Sequence, residues 1–256
     1  MDILKSCILP AIAALSAVTL NSNSAFAYRL FFGEDLNNSF STPLTTYPNA
    51  SNTEQDFLNN LFSSTTETFE TVSDNADTPL TLDFGDLGTA ELQGNGFIEQ
   101  VPPGETDGFG RYPISGEKYW ETNAARNQFS LQFSQPMAAL GFHGVGLGEF
   151  GGQLQLNLNL SNGDTTTLTV PNTPNTKGSV FYFGLVAESP AELLTSLSFA
   201  MSDNIASDTF AFDNLTLSHL DQVKPPPTPP KPVPEPSTWL GLLLLGGLLK
   251  TVISKQ

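Results

Sequence analysis

Cysteine is all but missing from this chain: Cys7 is the only one in 256 residues. A single thiol makes neither an internal disulfide nor a cysteine-rich zinc site. Histidine is almost as scarce. His143 and His219 stand far apart, outside any H-E-x-x-H pattern, so a zinc hydrolase has no basis here. A G-x-S-x-G elbow is also absent, which removes the usual serine hydrolase arrangement. Positive charge is the next shortage: 10 Lys and Arg face 26 Asp and Glu, a net charge of -16 that repels phosphates and argues against nucleic acid as a partner. Glycine-rich "GVGLGEFGG" at 144–152 lacks the lysine of a phosphate loop, and no helical pattern follows it. Glycosidases need only two carboxylates, and a chain this acidic always offers two. A polysaccharide-active secreted enzyme is therefore the alternative reading, with no particular pair singled out.

What is present begins with a leader. Lys5 supplies a positive start, residues 7–20 are apolar or small, and "NSNSAFA" ends in the small-x-small pattern Ala25, Phe26, Ala27. This predicts export, with a signal peptide over 1–27 cleaved after Ala27. Cys7 leaves with it, and it precedes the apolar stretch, so it makes no lipoprotein site. The remaining chain enters an oxidising compartment without disulfides, and its stability must come from a core, with bound ions as an optional addition.

From Tyr28 to about Leu220 apolar residues recur with a period of two, as strands with one buried face require. In "GGQLQLNLNLSNGDTTTLTVP", Leu154, Leu156, Leu158 and Leu160 share one face, Asn162 and Gly163 supply positive φ angles, and Thr165 to Val170 return. That is a hairpin. The same alternation marks Phe129, Leu131 and Phe133; Phe181 and Phe183; Leu197 and Phe199; Phe210 and Phe212; with "YRLFF" and "LTLDF" besides. One helix is expected, in "SNTEQDFLNNLF", with Asn52 as cap and Phe57, Leu58, Leu61 and Phe62 on one side. The expectation is an all-β protein, an antiparallel jelly-roll-like β-sandwich over 28–220, flanked by the signal peptide and a short hydrophobic C-terminal helix.

After Leu220 the composition changes. "VKPPPTPPKPVPEP" reads as a proline-rich stalk, extended at about 3.1 Å per residue, over 221–233. The apolar block 239–249 holds only Trp, Leu and Gly, shorter than the roughly 17–25 residues of a permanent membrane span. Pro234, Glu235, Pro236, a short spacer, an apolar block opened by Trp239 and then Lys250 together resemble the PEP-CTERM sorting signal, over 234–256. The resemblance implies an exosortase as partner, a membrane protease that processes the tail after transient membrane association. It departs from the family at the terminus, where Lys250 and Lys255 stand in place of an arginine cluster, which implies weaker retention. The stretches "FFGEDL", "GRYPISGEKYWET", "FSLQFSQPMAALGFHGVGLGEFGGQLQLNL", "GSVFYFGLV" and "DTFAFDNLTL" also look like the β-sandwich domains that precede this signal in exported proteins.

Two ligand sites are candidates. Calcium takes six to eight oxygens, and Glu34 with Asp35, Glu149, and Asp213 with Asn214 stand beside expected strand ends. An ion there would bridge the first and last strands; without one, Asp213 and Asn214 make local side-chain to backbone bonds. Carbohydrate is the second. "RYPISGEKYW" offers Arg111, Tyr112, Tyr119 and Trp120, where the indole either stacks on a sugar, with Arg111 or Glu117 binding its hydroxyls, or caps the core. The whole reads as a non-enzymatic β-sandwich of the cell envelope, cell surface or extracellular matrix, with calcium or exopolysaccharide as ligand.

Overall fold

The computed structural model describes residues 28–124, 129–202 and 208–226. Ala25, Ala27, the Pro234, Glu235, Pro236 motif and the terminal apolar block lie outside them. The chain divides into a compact unit ending at Val223 and a second segment from Lys224. Among the described residues no helix is long and apolar enough to cross a membrane.

Thirteen described strands form two antiparallel sheets. The first sheet runs β1 (Tyr28–Asp35), β11 (Val180–Ala187), β8 (Ala139–Val145), β13 (Thr209–Ser218), β6 (Lys118–Asn123), β5 (Phe97–Gln100), with β2 (Thr65–Glu67) beside the second half of β13. The second runs β10 (Thr165–Thr169), β9 (Leu154–Leu160), β12 (Leu194–Met201), β7 (Phe129–Met137), β4 (Thr89–Gly94), β3 (Leu80–Asp83). This is the expected two-sheet sandwich.

The alternation seen in the sequence fills the space between the sheets. Leu154, Leu156, Leu158 and Leu160 are buried, and their neighbours Gln155, Asn157 and Asn159 are not. Aromatic rings dominate the centre, with Phe129 stacked on Phe199 at 4.5 Å and Phe142 against Phe212 at 4.8 Å. The hairpin forms with one change: Gly163 takes φ 88°, but Asn162 does not have positive φ. The Gly163 N–H donates to Leu160 O and the Leu160 N–H to Asp164 O, a three-residue loop closed by a left-handed glycine.

The first sheet is covered on its outer face as well. Helix α1 (Pro48–Leu58) and the loop over 101–117 pack there, so β8 and β11 are buried on both sides. Gly184 and Gly141 are direct partners across β11 and β8 and leave a shallow pit. A Cβ on Gly184 would lie 2.6 Å from Phe57 Cδ2 and one on Gly141 3.0 Å from Phe57 Cε1, so the pit admits the Phe57 ring of α1. The helix starts earlier than the Asn52 cap predicts. Pro48 opens it, no side chain of its own caps it, and Asp35 Oδ2 at the end of β1 accepts from the Ala50 N–H at 2.9 Å. A carboxylate there satisfies a free helix N–H and complements the helix dipole. Phe57 is buried as expected; Phe62 is exposed.

Candidate functional site

The segment "DGFGR" at 107–111 folds into a closed loop for reasons written in its residue types. Gly108 and Gly110 take φ 89° and 84°, the left-handed region that glycine enters without cost. Asp107 Oδ1 accepts from the N–H groups of Phe109 at 2.8 Å and Arg111 at 3.1 Å, and the Asp107 N–H donates to Arg111 O. Phe109 is thereby lifted to the apex, where the residue is 60% exposed.

Arg111 lies beneath that ring, its guanidinium carbon 5.2 Å from the ring centre. Nη2 pairs with Asp107 Oδ2 at 2.7 Å and Nε with Glu121 Oε2 at 3.2 Å, so the side chain is held in one orientation. These groups, with Glu99, Gln100, Val101, Pro102 and Thr106, line a groove of about 320 Å³. Burial pushes the Glu121 carboxyl above the usual carboxylate range, and Asp107 and Glu99 push the same way against the opposing pull of Arg111. Burial likewise raises the Tyr119 hydroxyl, with Asp107 and Glu121 adding to it. The arrangement offers an aromatic face beside fixed, charged hydrogen-bonding groups, which suits a ring bearing hydroxyls.

The sequence-based candidates divide. Arg111 lines this groove, but Tyr119 and Trp120 are fully buried and present no face to a ligand. Trp120 stacks against Phe129 inside the sandwich, so the core reading of that residue holds and the platform reading is corrected. Phe109 is the exposed ring in their place. Its signal was a lone large apolar residue between two glycines, a position no core strand provides. Other hollows, of about 370 Å³ beside Asp83 and Asp86 and about 430 Å³ beside Tyr47 and Tyr112, offer no comparable platform. In the second, both tyrosine hydroxyls donate to backbone oxygens, of Ile114 and Gly178.

The calcium candidates do not converge as one site. Glu34 and Asp213 lie on β1 and β13, three strands apart, about 14 Å at ordinary strand spacing. Glu34 accepts from the Thr173 hydroxyl at 2.6 Å and the Thr173 N–H, and Glu149 lies in the turn after β8. Asp213 is buried and accepts from the N–H groups of Ile114, Ser115 and Asn214. Asn214 accepts from the Ser115 hydroxyl and takes φ 52° at a bulge in mid-strand, so the pair pins a loop rather than ending the strand. Among the described residues no three His, Cys, Asp or Glu side chains are grouped to hold a metal.

No family model matches the chain, and no curated protein does. Among solved structures it is similar to the K2 cleaved adhesin domain of Lys-gingipain, with TM-score 0.37 and 13% identity over 61% of this chain and 99% of that one. It is similar also to the CBM22-1–GH10 modules of Clostridium thermocellum xylanase 10B, solved with xylohexaose, at TM-score 0.35 and 11% identity over 60% of this chain and 28% of that one. The C-terminal family 22 carbohydrate binding module of the same enzyme matches at TM-score 0.30 and 13% identity, over 59% and 99%.

Proposed function

We propose that this protein is an exported, non-enzymatic β-sandwich of the cell envelope or extracellular matrix that binds polysaccharide through the Phe109–Arg111 groove. One observation carries the binding: an exposed aromatic ring held over an arginine that two carboxylates fix in place. Stacking on the ring and hydrogen bonds from rigid planar groups supply affinity and orientation without a large ordering cost. A glycan array with the wild type and Phe109→Ala tests it. Signals that vanish in the variant support the site, and a silent wild-type array sinks it.

The route outward rests on the leader and on the tail's resemblance to a PEP-CTERM signal, with an exosortase as partner. Intact mass and terminal peptide mapping on protein from the native envelope and medium should find a species starting at Tyr28 and ending between Pro234 and Ser237. A species that keeps the apolar block would instead mean a membrane anchor.

The polysaccharide-active enzyme has one observation in its favour, the raised carboxyl of Glu121 in a groove shared with Glu99 and Asp107. Arg111 already engages both Glu121 and Asp107, which suits binding better than proton transfer. Release of reducing ends from polymer substrates would establish the enzyme.

A further inference from the structure

Glu121 lines not one hollow but two. Its other side faces a smaller one, about 230 Å³, formed by Asn95, Gly96, Phe97, Thr122, Asn123 and Thr209. Phe97 pairs with Glu121 across β5 and β6, on the face opposite the core residue Ile98, and belongs to neither hydrophobic core. Along β6, Glu121 and Asn123 share this outer face over about 7 Å at ordinary strand rise, and Tyr119, next on the same face, is buried. Two phenylalanine rings that no core uses therefore line the two hollows that share one carboxylate. The charge along this path has one sign in excess: Glu99, Asp107 and Glu121 line it, and Arg111 is its one basic side chain among the described residues.

Resting on the polysaccharide reading above, we infer that the two hollows form one track for an extended chain of amino sugars with free, protonated amines. Phe109 and Phe97 stack successive parts of that chain, and Glu121, common to both hollows, meets an amine. A uronic acid polymer would place its carboxylates against three others and is rejected. A ligand cation beside Glu121 also relieves the burial that disfavours its ionised form, with Asp107, Glu99, Arg111 and Tyr119 as the other titratable groups facing it. Affinity for the amine ligand therefore rises with pH through the Glu121 titration, until the ligand amines lose their protons.

The test is titration calorimetry of the full chain with β-1,4-glucosamine oligomers from dimer to hexamer, their N-acetylated counterparts, and uronate oligomers. We expect affinity to grow with length, the free-amine hexamer to bind at least about tenfold tighter than its acetylated twin, and uronates not to bind. Phe97→Ala should weaken the hexamer and spare the dimer, Phe97→Leu serving if that variant misfolds. Glu121→Gln should cut the amine preference. Equal binding of the two hexamers, or a dimer as tight as the hexamer, overturns this inference while leaving the polysaccharide site standing. If no oligomer of any class binds, both fall.

Discussion

Two buried titratable residues, His143 and Asp213, face each other in register on β8 and β13 and pull stability in opposite directions with pH. Burial lowers the His143 imidazole to about 3, from 6.5 in the open chain, so unfolding takes up a proton between those values and stability is lost as pH falls through that range. Burial pushes Asp213 up to about 8, from 3.8, against the opposing N–H groups of Ile114, Asn214 and Ser115, with Glu70 adding to the rise. There the folded state holds the proton, so stability is lost as pH rises from about 4 to 8. Between about 4 and 6.5 the two slopes offset each other, and Glu54 and Glu121, both raised by burial, add a downward slope. Above 6.5 His143 no longer opposes Asp213, whose own contribution falls by about 2 kcal/mol up to pH 8 at roughly 1.4 kcal/mol per pH unit. Chemical denaturation at pH 5, 6.5 and 8 should show this fall in the wild type and its disappearance in Asp213→Asn. An unchanged fall in the variant assigns it elsewhere. A second contrast at this scale separates core from site. Trp120→Ala should cost about 3–5 kcal/mol, whereas Phe109→Ala, at an exposed loop apex, should stay within about 0.5 kcal/mol and lose sugar binding.

The elements that show a full alternation in the sequence are those that keep one face in water, whereas β11 and β13, buried on both faces, were legible only through Phe181 with Phe183 and Phe210 with Phe212. Strands β9, β7 and β12 announce themselves by alternation because Asn157, Gln132 and Ser198 stay outside while leucines and phenylalanines turn in. In β8, "ALGFHGV", the alternation is lost, because α1 and the 101–117 loop bury the outer face that solvent would otherwise have made polar. β2 is three polar residues, β5 turns only Ile98 into the core, and β4 offers it only Ala90 and Leu92 before Gly94, so too few large apolar residues recur for a period to show. The helix was legible through Phe57, but its start was not, since Pro48 opens it and the side chain that holds its first turn, Asp35, comes from another element. The site was half legible for the same reason. Arg111 was visible as a charge among aromatics, but the partners that make it a groove, Asp107, Glu121 and Phe109, depend on how a loop folds onto a strand. The attachment of α1 gives this scale its prediction. Gly184→Ala should displace Phe57 from its pit and cost about 1–3 kcal/mol by overpacking, while Phe57→Ala should cost about 3–5 kcal/mol by leaving it empty. Denaturation midpoints check both. If Gly184→Ala proves neutral, the helix rides on the sheet without using the pit.

At the scale of the whole molecule, the proposed processing sharpens the charge. Residues 1–27 and 237–256 hold three of the 10 basic residues and one of the 26 acidic ones, so the processed chain would keep 7 against 25. Such a surface attracts any polycation at long range, and that attraction must be separated from recognition in the groove, because both favour the same ligand. Salt separates them. Screening shortens the reach of surface charge from about 10 Å at 0.1 M to about 3 Å at 1 M, but it leaves stacking on Phe109 largely untouched. The free-amine hexamer should therefore lose about tenfold or more in affinity across that range, and its acetylated counterpart less than about twofold. Phe109→Ala should weaken both ligands at every salt concentration while keeping the steep slope of the first. The site would then set which sugar is held, and the acidic surface how far away it is gathered. If the two hexamers instead lose affinity in parallel, the surface charge contributes solubility alone, and the carboxylates of the groove have to account for the whole of any preference between them.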